Sequence, residues 1–285
     1  MIDVIDEQFS STDLLRIIAF TLSLTLLSGC GRFFFYPEPE LRENLYAAAF
    51  DPQDVYFTTV DDVRLHAWLI RAKEDKGTIL VLHGNAENLS THINSVLWLV
   101  PNGYNIFMFD YRGYGRSEGR PNISGLQLDA DAAIDTLFHM QGINTDRVFV
   151  IGQSLGGAVA IPAVARSPYR GRIQALIIDS AFADYRMILR EKLGRVWLTW
   201  PLQYPLSYTV NNDYSPLKWV KGVSPTSILI IHSRLDSIVP VHHGRLIYDT
   251  ANQPKSVWLL DSPGHVASLA DPVIQKRFLE YLADL

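Results

Sequence analysis

The sequence places a serine among glycines, and this serine is the first candidate for chemistry. Ser154 lies in the stretch GQSLGG, which follows an apolar run and precedes a run of small residues. A serine hydroxyl attacks efficiently near neutral pH only when a neighbouring base removes its proton. The G-x-S-x-G pattern is typical of a serine held at a strained strand-to-helix turn, where flanking residues must be small. The Leu155 N–H at the start of that helix is predicted to stabilise a developing oxyanion.

Such a serine needs a histidine and an acid, and both occur downstream near predicted strand ends. His265 follows the last apolar run, in LLDSPGHVAS, and Asp236 follows the previous run, in LIIHSRLDSIVP. The histidine would move the serine proton to the leaving group, and the aspartate would orient the ring and stabilise its cation. Asp179, in IIDSAF, is a competing acid. We favour Asp236 because its loop comes one strand before the histidine and is bounded by a proline.

A second oxyanion donor is expected from the loop after the first long strand, in VLHGNAENLS. Either the Asn85 or the Ala86 backbone N–H would serve, while His83 is more typical of a structural histidine. A second glycine-rich loop, DYRGYGRSEG, contains Asp110 and Arg112. We interpret this loop as a support for the site.

The elements that position these residues alternate between short apolar runs and helical patterns. Continuous apolar runs are typical of a parallel sheet covered on both faces, and the alternation predicts an α/β fold. Ligands bind such sheets beyond the carboxyl ends of the strands, which is where Ser154 is expected. The predicted strands are 78–83, 104–110, 147–152, 175–179, 227–232 and 256–261, preceded by a hairpin over 55–70. The predicted helices are 123–140, 155–167 and 272–285.

One region departs from this alternation. Residues 183–226 are longer than a helix and two loops require, and the stretch Arg186–Val210 is rich in tryptophan, tyrosine and proline. We predict a small helical and aromatic cap inserted into the domain. The cap either covers a pocket for an acyl group or is a packed structural elaboration.

The first 50 residues differ in character from the rest. The apolar run 17–27 is too short to span a bilayer as a helix but suits a signal-peptide core. The sequence LSGC ending at Cys30 resembles the lipobox of bacterial lipoproteins, although the preceding region is acidic where a signal should be basic. We expect a signal peptide over 1–29, lipid attachment at Cys30, a tether over 30–50 and the domain over 51–285. An uncleaved anchor or a buried thiol are the alternatives.

The composition limits the classes of partner that the protein is expected to bind. The net charge is −5 and no run of lysine or arginine occurs, which argues against nucleic acid. A single cysteine, Cys30, excludes an intramolecular disulfide and a multi-cysteine metal site. Gly31 rather than aspartate follows it. By resemblance to lipoprotein sorting, this favours the outer membrane in a bacterium that has two membranes.

Five motifs in order, HGNAEN, DYRGYGRSEG, GQSLGG, HSRLDSIVP and PGH, resemble those of α/β-hydrolases. More narrowly, they are similar to the esterase-like group that includes serine aminopeptidases and Bem46-type proteins. Over roughly 55–285, the resemblance implies an α/β-hydrolase fold with Ser154 as nucleophile, Asp236 as acid and His265 as base, without metal or cofactor. This sequence has His232-Ser233 where relatives usually have HG. The cap varies within the family, so substrate specificity does not carry over.

The predicted activity is hydrolysis of a small-molecule carboxylic ester with an apolar acyl part. A thioesterase, an amidase or an acyltransferase would use the same residues. A peptidase would need acidic groups for a substrate amine, and Glu87 and Glu118 are candidates. A non-catalytic binding protein at the membrane is a further alternative. A glycine-rich crossover without chemistry is also open, whereas a phosphate loop is disfavoured because no lysine follows in the Walker-A manner.

Overall fold

A computed structural model describes residues 35–285, except for the side chains of Ser262 and Pro263. The predicted signal peptide and the lipid attachment site at Cys30 lie outside the described residues. Within the described part of the chain, every helix is too short or too polar to cross a membrane.

Eight strands form one mostly parallel sheet, which confirms the predicted fold class. The strands are β1 (Gln53–Thr58), β2 (Arg64–Ile70), β3 (Gly77–Leu82), β4 (Tyr104–Phe109), β5 (Val148–Gln153), β6 (Ile173–Asp179), β7 (Ser227–Leu235) and β8 (Lys255–Pro263). Their order is β1-β2-β4-β3-β5-β6-β7-β8. The hairpin β1–β2 and the pair β2–β4 are antiparallel, and the remaining pairs are parallel. The carboxyl ends of β3 to β8 therefore meet at one edge.

Helices cover both faces of the sheet. They are α1 (Leu45–Ala48), α2 (Leu89–His92), α3 (Ile123–His139), α4 (Leu155–Arg166), α5 (Tyr185–Gly194), α6 (Gln203–Tyr208), α7 (Pro216–Trp219), α8 (His242–Thr250) and α9 (Pro272–Ala283). Two apolar clusters form the core, one between the sheet and α3, α4 and α5, the other between the sheet and α1, α2 and α9. Every residue of β3, β4 and β5 is buried, because both faces of these strands are covered.

The interpretation of residues 30–50 as a tether is wrong for the part that the structure describes. Phe35 is buried, and Pro37 forms a β-bridge with Glu87. The Asn88 side chain donates to the carbonyls of Glu38 and Glu40 at 3.0 and 2.7 Å. The stretch packs on the domain because the buried Asn88 side chain hydrogen-bonds to its backbone carbonyls and Phe35 is buried in the apolar core.

The region 183–226 lies between β6 and β7. It contains α5, a 3₁₀ turn at Trp200–Leu202, α6 and α7. The Asp184 side chain accepts a hydrogen bond from the Met187 N–H and so caps the start of α5. Trp197, at 85% exposure, lies just beyond the end of that helix.

Candidate active site

Ser154 lies between β5 and α4 in a backbone conformation that fits a sharp turn. Its φ and ψ are 53° and −113°, a region costly for any residue with a side chain. The neighbouring positions require glycine because other backbone atoms lie where a Cβ would be. A Cβ at Gly156 would overlap the carbonyl oxygen of Leu82, and a Cβ at Gly152 would lie 2.6 Å from the Gly157 Cα. The glycines therefore let α4 start directly against the neighbouring strand, which presents Ser154 at the sheet edge.

The structure brings the three predicted residues Ser154, His265 and Asp236 into one hydrogen-bonded line. His265 Nε2 lies 2.8 Å from Ser154 Oγ, and His265 Nδ1 lies 2.7 Å from Asp236 Oδ2. The side chain of Asp236 is buried, while that of His265 is 19% exposed. The line therefore runs from a buried carboxylate to a partly accessible hydroxyl.

Asp236 is held by the loop after β7. Its Oδ1 accepts the backbone N–H groups of Ile238 and Val239 at 2.8 and 2.9 Å. Burial raises its pKa, but hydrogen bonds from His265 and from these two N–H groups outweigh that effect and leave the pKa below its ordinary value. His232, part of the unusual His-Ser pair, lies 2.8 Å through Nε2 from the Val239 carbonyl. The carboxylate is thus ionised and fixed in orientation.

Asp179, the competing acid, lies at the end of β6 and has different partners. Its Oδ1 accepts the hydroxyl groups of Ser180 and Ser268 at 3.0 and 3.1 Å. Complete burial raises its pKa to about 6. Its backbone carbonyl accepts the Ser154 N–H at 2.8 Å, and Ser268 belongs to the segment after His265. Asp179 therefore contacts the backbone around the site rather than the histidine ring.

The loop after β3 also lies beside Ser154, since Asn85 and Ser154 line the same cleft. Asn85 Oδ1 accepts three donors: the Ala86 N–H at 3.0 Å, the Tyr114 hydroxyl at 2.8 Å and the Tyr36 N–H at 3.1 Å. The Ala86 N–H thus has an acceptor within its own loop. The Leu155 N–H at the start of α4, with the N–H of Asn85 or Ala86, stays the predicted oxyanion site.

The second glycine-rich loop, which contains Asp110 and Arg112, is bound to the segments around the site. Asp110 is buried, and its Oδ1 accepts the Leu89 N–H at 2.7 Å. Arg112 donates to Asp129 and to Asp61, both at 2.8 Å. These contacts connect the loop to its neighbours and leave Asp110 and Arg112 away from the Ser154 hydroxyl.

A cleft of about 400 Å³ opens at Ser154. Its walls are mostly apolar, and Lys192 supplies the charged group among the described lining residues. The lining residues are Tyr36, Asn85, Ser154, Leu155, Phe182, Ile188, Leu189, Lys192, Ile238 and Val239. The sequence alone did not reveal Tyr36 or Phe182 as part of the site, because neither belongs to a motif and only the fold brings them there.

The helix α5 of the cap is attached to the loop that carries Asp236. Lys192 donates to the Ile238 carbonyl at 2.7 Å, and Arg195 donates to the Ser237 carbonyl at 2.9 Å. The cap and the acid loop therefore hold each other in place at the mouth of the cleft.

Glu191, His242 and His243 form a cluster whose ligand atoms are close enough to hold a metal ion. The His243 ring does not fit that role. Its Nδ1 accepts the Ala183 N–H at 3.1 Å, so its Nε2 carries the proton that points at Glu191, 3.2 Å away. A metal at Nε2 would require a ring deprotonated at both nitrogens. The cluster is better described as hydrogen bonds that join α5 to α8.

Comparison with known proteins identifies the family. A sequence model of the family described as serine aminopeptidase, S33, matches residues 73–221. The chain belongs to this family of α/β-hydrolases. The uncharacterized protein YfhR of Escherichia coli strain K12 is 34% identical over 247 residues, 84% of this chain and 81% of YfhR. The uncharacterized membrane protein YNL320W of Saccharomyces cerevisiae is 28% identical over 233 residues, 79% of this chain and 76% of that protein.

A solved structure shows the same fold. The esterase Pf2001 of Pyrococcus furiosus superposes with a TM-score of 0.70 at 23% identity, covering 87% of this chain and 98% of that chain. Family membership and fold together identify the chain as a hydrolase.

Proposed function

We propose that this protein is a serine hydrolase that cleaves carboxylic esters through an acyl-enzyme on Ser154. As Ser154 Oγ attacks the ester carbonyl, His265 takes the hydroxyl proton at Nε2, and Asp236 stabilises the imidazolium that forms. The imidazolium gives this proton to the leaving alkoxide, so an alcohol departs and the acyl group stays on Oγ. A water molecule deprotonated by His265 then attacks the acyl-enzyme and releases the acid.

The observation that carries this proposal is the hydrogen-bonded line of three side chains at the mouth of a cleft. With Asp236 accepting from Nδ1–H, the lone pair on His265 Nε2 faces the Ser154 hydroxyl at 2.8 Å. The N–H groups of Leu155 and of Asn85 or Ala86 are our candidates for the oxyanion site, where they would lower the barrier as charge develops on the carbonyl oxygen.

The walls of the cleft favour an ester with an apolar acyl part. Phe182, Ile188, Leu189, Ile238 and Val239 line it beside Ser154. A volume of about 400 Å³ is near the lower end for small-molecule sites, which suits a short or medium acyl chain. The structurally similar protein from Pyrococcus furiosus is described as an esterase.

A peptidase that binds a substrate amine has less support. Neither Glu87 nor Glu118 is among the residues lining the cleft, and the charged group there is the cation of Lys192. Glu87 pairs with Arg42 at 3.2 Å instead. Thioesters and amides remain candidate substrates, since the same three side chains would cleave them. In an acyltransferase, an alcohol would replace water in the second step.

The test is turnover by the full chain on nitrophenyl esters of increasing acyl length, beside a matched thioester and anilide. We expect ester turnover that Ser154→Ala abolishes, and that the control Ser124→Ala, an exposed serine on α3, retains. Unchanged turnover in Ser154→Ala would contradict the proposal. Absence of turnover on all three substrate classes by the folded wild type would favour the non-catalytic binding protein.

We also propose that the chain is lipid-anchored at Cys30 to a bacterial membrane, with the outer membrane favoured. The lipobox-like sequence supports this, and the yeast relative is described as a membrane protein. Growth of the expressing bacterium with labelled palmitate should label the wild type and leave Cys30→Ala unlabelled. Equal labelling of both would contradict the anchor at this residue.

A further inference from the structure

One short segment of the cap exposes several large apolar side chains, here called the cap patch. The patch follows α5 in sequence and includes Trp197 at 85% exposure and Leu198 at 67%. Its members are Val196, Trp197, Leu198, Trp200 and Leu202. Single exposed apolar residues are ordinary, but a run of large ones at a protein surface marks an interaction site.

The chain that forms the cap patch is followed and preceded by cations and aromatic residues, and the acidic groups Asp184 and Glu191 line a pocket with Trp200 and two arginines. From Lys192 to Asn212 the sequence contains no aspartate or glutamate. The Arg190 guanidinium lies 5.0 Å from the centre of the Tyr204 ring, which is itself exposed. Tryptophan, tyrosine and leucine beside cations form the composition that lies at the boundary between lipid headgroups and acyl chains.

The start of the described chain lies at the mouth of the same cleft. Tyr36 and Lys192 both line that cleft, the latter near the end of α5 and five residues before Trp197. Phe35 is the fifth residue after Cys30, the proposed lipid-attachment site. Fully extended, five residues span about 18 Å. A domain of this length has a radius of gyration of about 18 Å, hence a diameter of roughly 45 Å. With the lipid on Cys30 in a membrane, the end of the domain at Phe35 and Tyr36, and the cleft that Tyr36 lines, therefore lie in the half of the domain nearer that membrane.

We propose that the cap patch docks on a lipid bilayer, with the cleft mouth beside it. Trp197, Leu198 and Trp200 enter the interface, while Lys192 and Arg195 lie near the headgroups. An apolar substrate would then reach Ser154 from the lipid without crossing water. The docking itself does not depend on the proposed esterase activity and is tested separately from it.

The test uses the full chain reconstituted with vesicles whose lipids carry bromine on the acyl chains, which quenches only tryptophans that enter the bilayer. We expect quenching in the wild type and loss of the quenched component in the double variant Trp197→Phe, Trp200→Phe. The control Trp68→Phe, in β2, should retain that component. Equal quenching in all three proteins, or no quenching in the wild type, would overturn the proposal.

A second pair of variants tests the apolar contact. Leu198→Ser should weaken the quenching of Trp197 and Trp200, whereas Leu45→Ser should leave it unchanged. Leu45, 77% exposed on α1, belongs to the opposite face of the sheet, and both changes are at the surface. If the emission of Trp197 and Trp200 is already shielded without vesicles, protein covers the patch, either a second copy or the chain's own N-terminal segment. That result would also overturn the proposal.

Discussion

The Nδ1 atom of His265 lies 2.7 Å from a carboxylate oxygen of Asp236. Asp179, which ends the neighbouring strand, contacts two serine hydroxyls instead. The two aspartates therefore have separable parts in the site. Asp236 fixes the orientation of the His265 ring, and the Asp179 side chain joins Ser180 to Ser268 beside the site.

Replacing each aspartate by asparagine should separate these parts. Asp236→Asn preserves shape but removes the charge that stabilises the imidazolium, so we expect kcat to fall by about 10³–10⁴-fold. Asp179→Asn should keep kcat within about tenfold, because Asp179 does not contact the histidine. Steady-state kinetics on a nitrophenyl ester measure both. A larger loss in Asp179→Asn would reverse the assignment.

The buried carboxyl of Asp179 should make stability depend on pH. Burial raises its pKa from 3.8 to about 6, so the folded state keeps a proton that the unfolded state releases near 3.8. The free energy of unfolding therefore falls as pH rises through this window. Two pKa units correspond to about 3 kcal/mol. We therefore expect the free energy of unfolding of Asp179→Asn, relative to that of the wild type, to rise by about 3 kcal/mol between pH 4 and 7. Urea unfolding at each pH measures this difference. A constant difference across that range would contradict the explanation.

The glycines of the serine turn should be structurally necessary. Gly156→Ala places a Cβ against the Leu82 carbonyl, and we expect the free energy of unfolding to fall by more than about 3 kcal/mol. Gly171→Ala is the matched control, because a Cβ there meets nothing within 4 Å and should change stability by less than about 0.5 kcal/mol. Equal stability of the two variants in urea would show that the turn relaxes.

A larger side chain in the wall of the cleft should narrow it and so make the enzyme prefer shorter acyl chains. Ile188 lies on α5 and faces the cleft beside Leu189. With Ile188→Trp, we expect kcat/KM to fall for the longer nitrophenyl esters while the acetyl ester is largely unaffected. An equal loss for every chain length would instead indicate that the change disturbs the catalytic groups.

The sheet and the three aligned side chains were predictable because their signals are local. Apolar runs bounded by polar residues predicted β3 to β8, and the small residues around Ser154 predicted the turn. Asp236 and His265 follow strand ends, and strand ends of a parallel sheet meet at one edge. The fold then brings these distant residues together without any further information.

The surroundings of the site were less predictable, because they depend on contacts between distant parts of the chain. The stretch around Tyr36 has the composition of a tether, yet Asn88 binds it and Phe35 is buried in the core, so that Tyr36 lines the cleft. The hydrogen bond from the Ala86 N–H to the Asn85 side chain is likewise formed only in the folded loop. The aromatic residues of the cap were evident, but the exposure of Trp197 is a property of the folded surface.

The central claim is that Ser154 is the nucleophile. The most direct test is to treat the folded full chain with a fluorophosphonate and locate the adduct by mass spectrometry. We predict one adduct, on the peptide containing Ser154, that is absent from Ser154→Ala and strongly reduced in His265→Ala. An adduct on another residue, or none on protein whose fold is intact, would contradict the account.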